Sequence, residues 1–293
     1  MGRDEEGRVT LEVVEPHGFC AGVDAALRKA RSFCAESKAA GREAYCLHEI
    51  VHNPVATGEL EAAGLKFVDS VEEVPEGASV LFSAHGVSPA VRATAARRNL
   101  RVTDATCPFV QRVHEAARAY ASRGMKVVVI GKRSHAEVEG ILGEAPGAFV
   151  AGDAAEAAAL AASLPPGTKT GVVSQTTMDA REVGKALEAL SARLDVETAA
   201  QVCAATKVRQ EAAMAFDGDL LVVLGGANSS NTRRLCEVAR CRAVRAGTLE
   251  EVEAIDFGGA RRIGVTSGAS TPESFLVAAL ETMRRRIAAA ARD

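Results

Sequence analysis

The chain has 293 residues, which is enough for two or three domains at about 100–200 residues each. Its apolar content of 47% and charged content of 25% are typical of globular proteins and argue against a disordered or fibrous chain. A net charge of −3 provides no broad basic surface for nucleic acid or for an anionic membrane, so neither is an expected partner. The start is charged and no apolar run could span a bilayer, which predicts a cytoplasmic protein.

Short apolar runs alternate with helical patterns along the chain. Strands are predicted at Thr10–Val14, Ser79–Phe82, Lys126–Ile130, Thr170–Val173, Leu220–Leu224 and Arg262–Val265. Helices are predicted at Val23–Ala35, Pro89–Arg98, Pro108–Ser122, Met178–Leu194, Thr206–Phe216 and Pro272–Ala289. Three of these helices have Pro in the first turn, where its fixed φ suits a helix start. The alternation predicts α/β layers with mainly parallel sheets.

Polar side chains gather in the loops that follow predicted strands. Three of these loops contain His48, His85 and His135, and a fourth contains Thr176 and Thr177. The last two contain the run Asn228, Ser229, Ser230 and Asn231, and Ser270. Parallel sheets bind ligands beyond the carboxyl ends of their strands. We therefore expect the six loops to contribute to one extended site.

Seven cysteines in a cytoplasmic chain favour thiols or metal ligands over a disulfide framework. Three of them, Cys20, Cys107 and Cys203, each precede a helical pattern and are separated by 87 and 96 residues. A polar residue follows each cysteine after 28 residues, namely His48, His135 and Asn231. A second polar set follows at 65, 70 and 67 residues, namely His85, Thr177 and Ser270. The spacing indicates an internal repeat with one cysteine in each third.

This repeat predicts three small α/β units around a pseudo-threefold axis, with a shared metal centre on it. The expected boundaries are an N-terminal strand segment at 1–19 and units at 20–106, 107–202 and 203–293. The other four cysteines are expected to pack as small apolar residues, with Cys34 inside a helix, Cys46 in a strand, and Cys236 and Cys241 around a helix end. His17, His52 and His114 are expected to be structural, with His114 on the polar face of a helix.

Three distant thiolates suit either a catalytic zinc with one open position or an iron–sulfur cluster with one iron lacking a protein ligand. No C-x-x-C pair is present, which argues against a zinc finger. His beside Ser, Thr and Asn favours a cradle for phosphate oxygens. Glu137 fits either a favourable first-turn charge or a proton donor. Because P-loop and dinucleotide motifs are missing, any electrons must come from another protein.

Nine motifs in chain order resemble the 4-hydroxy-3-methylbut-2-enyl diphosphate reductase family. They are HGFCAGV, HEIVHN, FSAHGVS, DATCPFV, HAEVEG, SQTT, QVCAAT with RQ, NSSNT and SGAS. The resemblance runs from about Val13 to the end of the chain. It implies a [4Fe–4S] reductase of the non-mevalonate isoprenoid pathway that removes an allylic hydroxyl and yields isopentenyl and dimethylallyl diphosphates.

The resemblance also implies roles for single residues. Cys20, Cys107 and Cys203 would hold a central cluster with one open iron site. The diphosphate would bind His48, His85, His135, Thr177, Ser229, Ser230, Asn231 and Ser270. Glu137 would donate the proton, with Thr176 positioning the substrate hydroxyl and the proton path. Reduced ferredoxin or flavodoxin would supply the electrons.

Three departures from the family pattern leave alternatives open. Ala136 stands where relatives usually have Pro, Ala25 occupies a position that is often Arg, and the stretch 236–248 is short. They are compatible with a paralogue that acts on a related allylic diphosphate. The same cysteines also suit a zinc-dependent phosphoester hydrolase or a non-enzymatic iron–sulfur or diphosphate sensor.

Overall fold

The computed structural model describes residues 9–199 and 202–290. Its strands, numbered in chain order, are β1 (Thr10–Val13), β2 (Ala44–Leu47), β3 (Leu65–Val68), β4 (Ser79–Phe82), β5 (Arg101–Asp104), β6 (Lys126–Ile130), β7 (Phe149–Ala151), β8 (Lys169–Ser174), β9 (Asp195–Thr198), β10 (Leu220–Leu224), β11 (Arg242–Ala246) and β12 (Arg262–Ser267).

The helices are α1 (Ala21–Ala39), α2 (Pro54–Ala62), α3 (Pro89–Arg97), α4 (Pro108–Ser122), α5 (Ala136–Glu144), α6 (Ala154–Ser163), α7 (Ala180–Ser191), α8 (Ala204–Ala215), α9 (Ser230–Val238), α10 (Leu249–Glu253) and α11 (Glu273–Ala290), with a 3-10 turn at Val71–Glu73. Pro89 and Pro108 occupy the first helical turns, as predicted. Pro272 instead lies one residue before α11, where its carbonyl accepts the Phe275 N–H at 3.1 Å. Within the described residues no helix is both long and apolar enough to cross a membrane.

The strands form three four-stranded sheets, ordered β3-β2-β4-β5, β7-β6-β8-β9 and β1-β12-β10-β11. Every pairing within them is parallel. Helices connect successive strands, as parallel pairing requires. The prediction of an α/β fold with parallel sheets is confirmed.

The predicted strands are mostly the central ones. β4, β6 and β10 match their predicted bounds, and nearly all their residues are buried. Five edge strands, β3, β5, β7, β9 and β11, escaped prediction because they are short and partly exposed, so their sequences lack a continuous apolar run. β2 was expected only through Cys46, which lies in it.

Contacts divide the chain into two compact units. One combines the chain up to Cys20, the segment His52–Ala56 and the chain from Ala204 onward, and it contains the sheet β1-β12-β10-β11. The other comprises Ala21–Val51 and Thr57–Cys203 and contains the other two sheets. The predicted boundaries at 1–19, 20–106, 107–202 and 203–293 stay a prediction, and residues 1–8 and 291–293 at their ends lie outside the described residues.

Close packing of α4 on the sheet β7-β6-β8-β9 depends on a glycine. The buried ring of Tyr120 lies directly over Gly171 of β8, and a Cβ on Gly171 would overlap the ring. Tyr120 belongs to a core cluster that includes Val113, Val127 and Val173. This contact sets how closely α4 packs on β8.

We expect Gly171→Ala to lower the free energy of unfolding by about 1–3 kcal/mol, because an added methyl in a filled core forces neighbouring atoms to move. Urea unfolding monitored by circular dichroism measures the change. Gly184→Ala in α7 is the matched control, since a Cβ there meets no atom within 4 Å. It should leave stability unchanged or raise it by up to ~1 kcal/mol. Equal stabilities for the two variants would show that the Tyr120 contact is not tight.

Candidate functional site

Glu137 is a buried carboxyl at the start of α5. His135 caps this helix, and its Nδ1 accepts the Glu137 backbone N–H at 3.1 Å. The Glu137 side chain, in a residue only 2% exposed, accepts hydrogen bonds from Thr176, at 2.7 Å from the backbone N–H and 3.1 Å from the hydroxyl. Burial raises the pKa of Glu137 to about 7, although both hydrogen bonds from Thr176 oppose the shift. A carboxyl with this pKa carries a proton in much of the population at neutral pH.

The backbone of Thr176 also fixes one of the predicted cysteines. Its carbonyl accepts the Cys203 backbone N–H at 3.0 Å, while its own N–H binds Glu137. Cys107, the residue before α4, donates its backbone N–H to the Ala84 carbonyl at 3.1 Å. Two of the three repeated cysteines are thus tied by backbone hydrogen bonds to loops that follow β4 and β8.

The larger unit brings two of the predicted histidines together. The rings of His85 and His135 lie 5.6 Å apart, edge to face, although one follows β4 and the other follows β6. The Ser83 hydroxyl lies 3.3 Å from His85 Nδ1. His48, directly after β2, has a left-handed φ of 58°, which non-glycine residues adopt rarely and often at functional sites.

Gln175 is a site residue that the sequence did not identify. It is fully buried, its Nε2 donates to the Thr177 hydroxyl at 2.9 Å, and its Oε1 accepts the Lys132 backbone N–H at 3.1 Å. Its side chain therefore joins the loops after β6 and β8 and positions Thr177. The available signal was an amide at the end of a buried strand, next to Thr176.

His114 differs from its prediction as a residue on a polar helix face. It is buried, and its Nδ1 lies 3.1 Å from Glu144 at the end of α5. The ring packs between two glycines, since a Cβ on Gly86 or Gly140 would lie 2.9 or 3.0 Å from it. Burial is the main cause that lowers the pKa of His114, against the opposing effect of Glu144. His114 thus joins the loop after His85 to the helix that carries Glu137.

The smaller unit holds a set of unpaired polar atoms at the start of α9. Ser229 caps the helix, its hydroxyl accepting the Thr232 N–H at 3.2 Å. The hydroxyl of Ser230 and both amide atoms of Asn231 are buried and have no hydrogen-bond partner among the described residues. Unpaired buried polar groups are costly, so these atoms are suited to a polar ligand. The N-terminus of a helix adds favourable potential for an anion.

The loop of Cys20 is held by contacts within the smaller unit. Cys20 donates its backbone N–H to Ala269 at 3.1 Å, and Gly18 donates to the Ser267 hydroxyl at 2.8 Å. The guanidinium of the buried Arg209 donates to the Gly18 carbonyl at 2.9 Å. Ser270, a predicted ligand-binding residue, donates its hydroxyl to the His52 carbonyl at 3.4 Å. Arg209 belongs to the RQ pair of the seventh motif, but its role was not predicted.

The seven cysteines are free thiols and differ in their surroundings. Cys34 and Cys46 are buried, and burial raises the pKa of both thiols. Burial also raises the pKa of Cys241, and it raises the pKa of Cys236 to about 11. Cys20, Cys107 and Cys203 are partly exposed residues in loops beside helix starts. Three thiols in loops beside helix starts are a donor set that fits an iron–sulfur cluster.

No three His, Cys, Asp or Glu side chains in residues 9–199 and 202–290 gather as ligands of one metal ion. The two units supply the cysteines separately, because Cys20 belongs to the smaller unit while Cys107 and Cys203 belong to the larger one. The shared ligand set therefore stays a prediction.

Parallel α/β layers with cysteines and histidines in the loops after the strands, and a buried carboxyl of raised pKa in a helix first turn, are features of an enzyme. A sequence profile of the LytB protein family matches residues 11–284. A 4-hydroxy-3-methylbut-2-enyl diphosphate reductase 2 of Burkholderia mallei is 41% identical over 281 residues, covering 93% of this chain and 85% of the relative. The corresponding reductase of Anaplasma marginale is 39% identical over 275 residues, with 91% and 80% covered.

Solved structures agree with this relationship. The E-1-hydroxy-2-methyl-but-2-enyl-4-diphosphate reductase of Plasmodium falciparum aligns with a TM-score of 0.86 at 29% identity, covering 94% of this chain and 87% of that one. The chain belongs to the LytB family of iron–sulfur reductases, which confirms the resemblance carried by the nine motifs.

The raised pKa of Glu137 makes stability depend on pH. Below the unfolded-state pKa, near 4.5, both states are protonated and the protein keeps its full stability. As pH rises through the folded pKa of about 7, burial of the carboxyl becomes unfavourable and stability is lost. The Glu137→Gln variant should not show this loss. The free energy of unfolding of the variant, relative to that of the wild type, should therefore increase as pH rises from 4.5 to about 7.

Urea unfolding at several pH values measures the difference between the two proteins. Glu139→Gln is the control, because Glu139 is an exposed carboxyl on the same helix. A difference between wild type and Glu137→Gln that stays constant with pH would contradict the raised pKa.

Proposed function

We propose that this chain reduces 4-hydroxy-3-methylbut-2-enyl diphosphate to isopentenyl and dimethylallyl diphosphates. The observation that carries the proposal is that the backbone of Thr176 accepts a hydrogen bond from Cys203 and donates one to the buried Glu137 carboxyl. A proton donor is thereby held beside a loop that supplies a thiolate. Reductive loss of a hydroxyl as water needs both a proton and a source of electrons.

Polar side chains bind the diphosphate in this proposal. At the start of α9 the buried Ser230 hydroxyl and Asn231 amide nitrogen, which are unpaired, donate hydrogen bonds to phosphate oxygens, together with Ser229 and Ser270. His48, His85, His135 and Thr177 are the other residues assigned to the diphosphate. Protonated imidazoles would add charge-assisted hydrogen bonds.

Cys20, Cys107 and Cys203 hold a [4Fe–4S] cluster in this proposal. When bound, the cluster supplies electrons one at a time and an open iron site for the substrate. Reduced ferredoxin or flavodoxin is the electron donor, since the sequence carries no dinucleotide-binding motif. The free thiols of all seven cysteines favour a reducing compartment such as the cytoplasm.

Glu137 delivers the proton that allows the hydroxyl to leave as water. Its pKa of about 7 keeps the carboxyl protonated in a large fraction of molecules at neutral pH. Once the proton has moved, the Thr176 N–H and hydroxyl stabilise the carboxylate that remains. Gln175 keeps Thr177 in place, and the His114 contact with Gly140 keeps α5 in place.

We expect Cys20→Ser, Cys107→Ser and Cys203→Ser each to lose most of the bound iron and activity, because thiolate is the preferred ligand of iron–sulfur clusters. The measurements are iron and zinc content after anaerobic purification, and product formation with dithionite as reductant. Cys241→Ser, also at a partly exposed thiol, is the control and should keep iron. Wild-type protein with zinc and no iron would instead support a phosphoester hydrolase, while an iron-loaded protein without turnover would support a sensor.

We expect Glu137→Gln to retain iron and bind substrate but to turn over about 10²-fold or more slowly, because a positioned acid contributes roughly that factor. Single-turnover assays with the hydroxylated diphosphate measure the rate, and Glu139→Gln should be near the wild type. The wild-type rate should fall as pH rises through about 7, where Glu137 loses its proton. A Gln variant with nearly normal turnover would leave Glu137 as a helix-start charge only.

A further inference from the structure

We propose that a small acidic protein carrying one electron at a time docks on the start of α4. We call this surface the α4 face and define it by Lys29, Arg92, Phe109 and Arg112. The proposal rests on the proposed function, because it concerns the route by which electrons reach Cys107. All four residues belong to the larger unit.

An exposed aromatic ring marks the centre of the α4 face. Phe109 is two residues after Cys107 and is 41% exposed, and it is the one aromatic among the large apolar side chains left exposed in the described chain. The guanidinium of Arg112 lies over the ring, 5.3 Å from its centre. Exposed aromatic and Arg side chains are enriched at protein interfaces. Neither side chain takes part in the buried core of α4.

Cations surround the turn that leads from β5 to Cys107. Lys29 Nζ donates to the Asp104 carbonyl at 2.7 Å, and Arg92 pairs with the Asp104 carboxylate at 2.7 Å. Arg112 has no carboxylate within ion-pair distance among the described residues. Lys29 and Arg92 together carry one positive charge more than Asp104, the residue that both contact, and Arg112 adds a further positive charge near the start of α4.

The local charge contrasts with that of the whole chain. Residues 89–123 contain seven Arg, no Lys and only two acidic residues, Asp104 and Glu115, whereas the complete chain has a net charge of −3. Arg118 and Arg123 of this segment pair with Glu144 and Glu197. Of these arginines, Arg92 and Arg112 belong to the α4 face, whereas Arg97, Arg98 and Arg101 lie at the end of α3 and the start of β5. Local positive charge on a negative protein directs an acidic partner to one face and speeds its association.

The position of the patch suits electron transfer. Cys107 immediately precedes α4, so a partner seated on Phe109 lies close to a proposed cluster ligand. Two successive partners each give up one electron, and these two electrons with two protons convert the C–OH bond of the substrate into C–H. One proton, from Glu137, goes to the departing oxygen, which leaves as water, and one goes to the allylic carbon skeleton. Brief contact over a small area is typical of such redox partners.

The test compares two electron donors with the full-length, cluster-loaded enzyme. Reduced ferredoxin needs a docking surface, whereas dithionite-reduced methyl viologen is a small molecule that does not. The variants are Arg112→Glu and Phe109→Ala, and the matched control is Arg284→Glu, the same charge change at an exposed residue of α11 in the smaller unit.

We expect Arg112→Glu to raise the KM for ferredoxin by about tenfold, because charge changes at an interface mainly alter association. Phe109→Ala should raise it by a similar factor, while turnover with methyl viologen stays within about twofold of the wild type for both. The effect of Arg112→Glu should shrink as ionic strength rises, since salt screens exposed charges. Arg284→Glu should leave both donors unaffected.

Equal ferredoxin KM values for Arg112→Glu and Arg284→Glu would overturn the docking proposal. Loss of iron and of turnover with both donors in Arg112→Glu and Phe109→Ala would also overturn it, since these residues would then support the fold around Cys107. A wild-type protein that turns over with neither donor would contradict the proposed function instead. In that event NMR titration of ¹⁵N-labelled ferredoxin still decides the docking proposal, because Arg112→Glu must weaken binding and Arg284→Glu must not.

Discussion

A buried carboxyl depends on the two hydrogen bonds that Thr176 gives to Glu137. An ionisable group out of contact with water needs either a proton or strong donors, and this group has both available. The backbone carbonyl of Thr176 in turn accepts the Cys203 N–H, so the residue that satisfies the buried carboxyl also fixes the path of a second loop. The end of β8, the start of α5 and the loop of Cys203 are therefore positioned around one residue.

The N-terminal caps of α5 and α9 have different roles. In the larger unit His135 uses its ring nitrogen to cap α5, which turns the imidazole towards His85 and places Glu137 in the first turn. In the smaller unit Ser229 caps α9 and leaves Ser230 and Asn231 with unpaired atoms. A cap satisfies backbone donors at modest cost, and the residues just after it remain available for a ligand. The site thus draws on ordinary helix-capping chemistry.

Sequence patterns predicted the features that residues close together in the chain determine. Continuous apolar runs identify central strands such as β10, and the repeated spacing of cysteines identifies loops such as the one before α4. Patterns did not reveal contacts between residues far apart in the chain. Gln175 reaches Lys132 across 43 residues, and His114 reaches Glu144 across 30, so neither partner is visible from local composition. Edge strands were missed because half of an edge strand faces water, and polar residues such as those of β9 then interrupt the pattern.

The packing of His114 between Gly86 and Gly140 constrains the loop and the helix that carry these two glycines. A ring that touches two backbones without intervening side chains leaves no compressible layer between them. The loop that follows His85 and the helix that carries Glu137 are therefore held apart by the thickness of one buried ring. A side chain larger than hydrogen at either glycine would push the histidine loop and the acid away from each other.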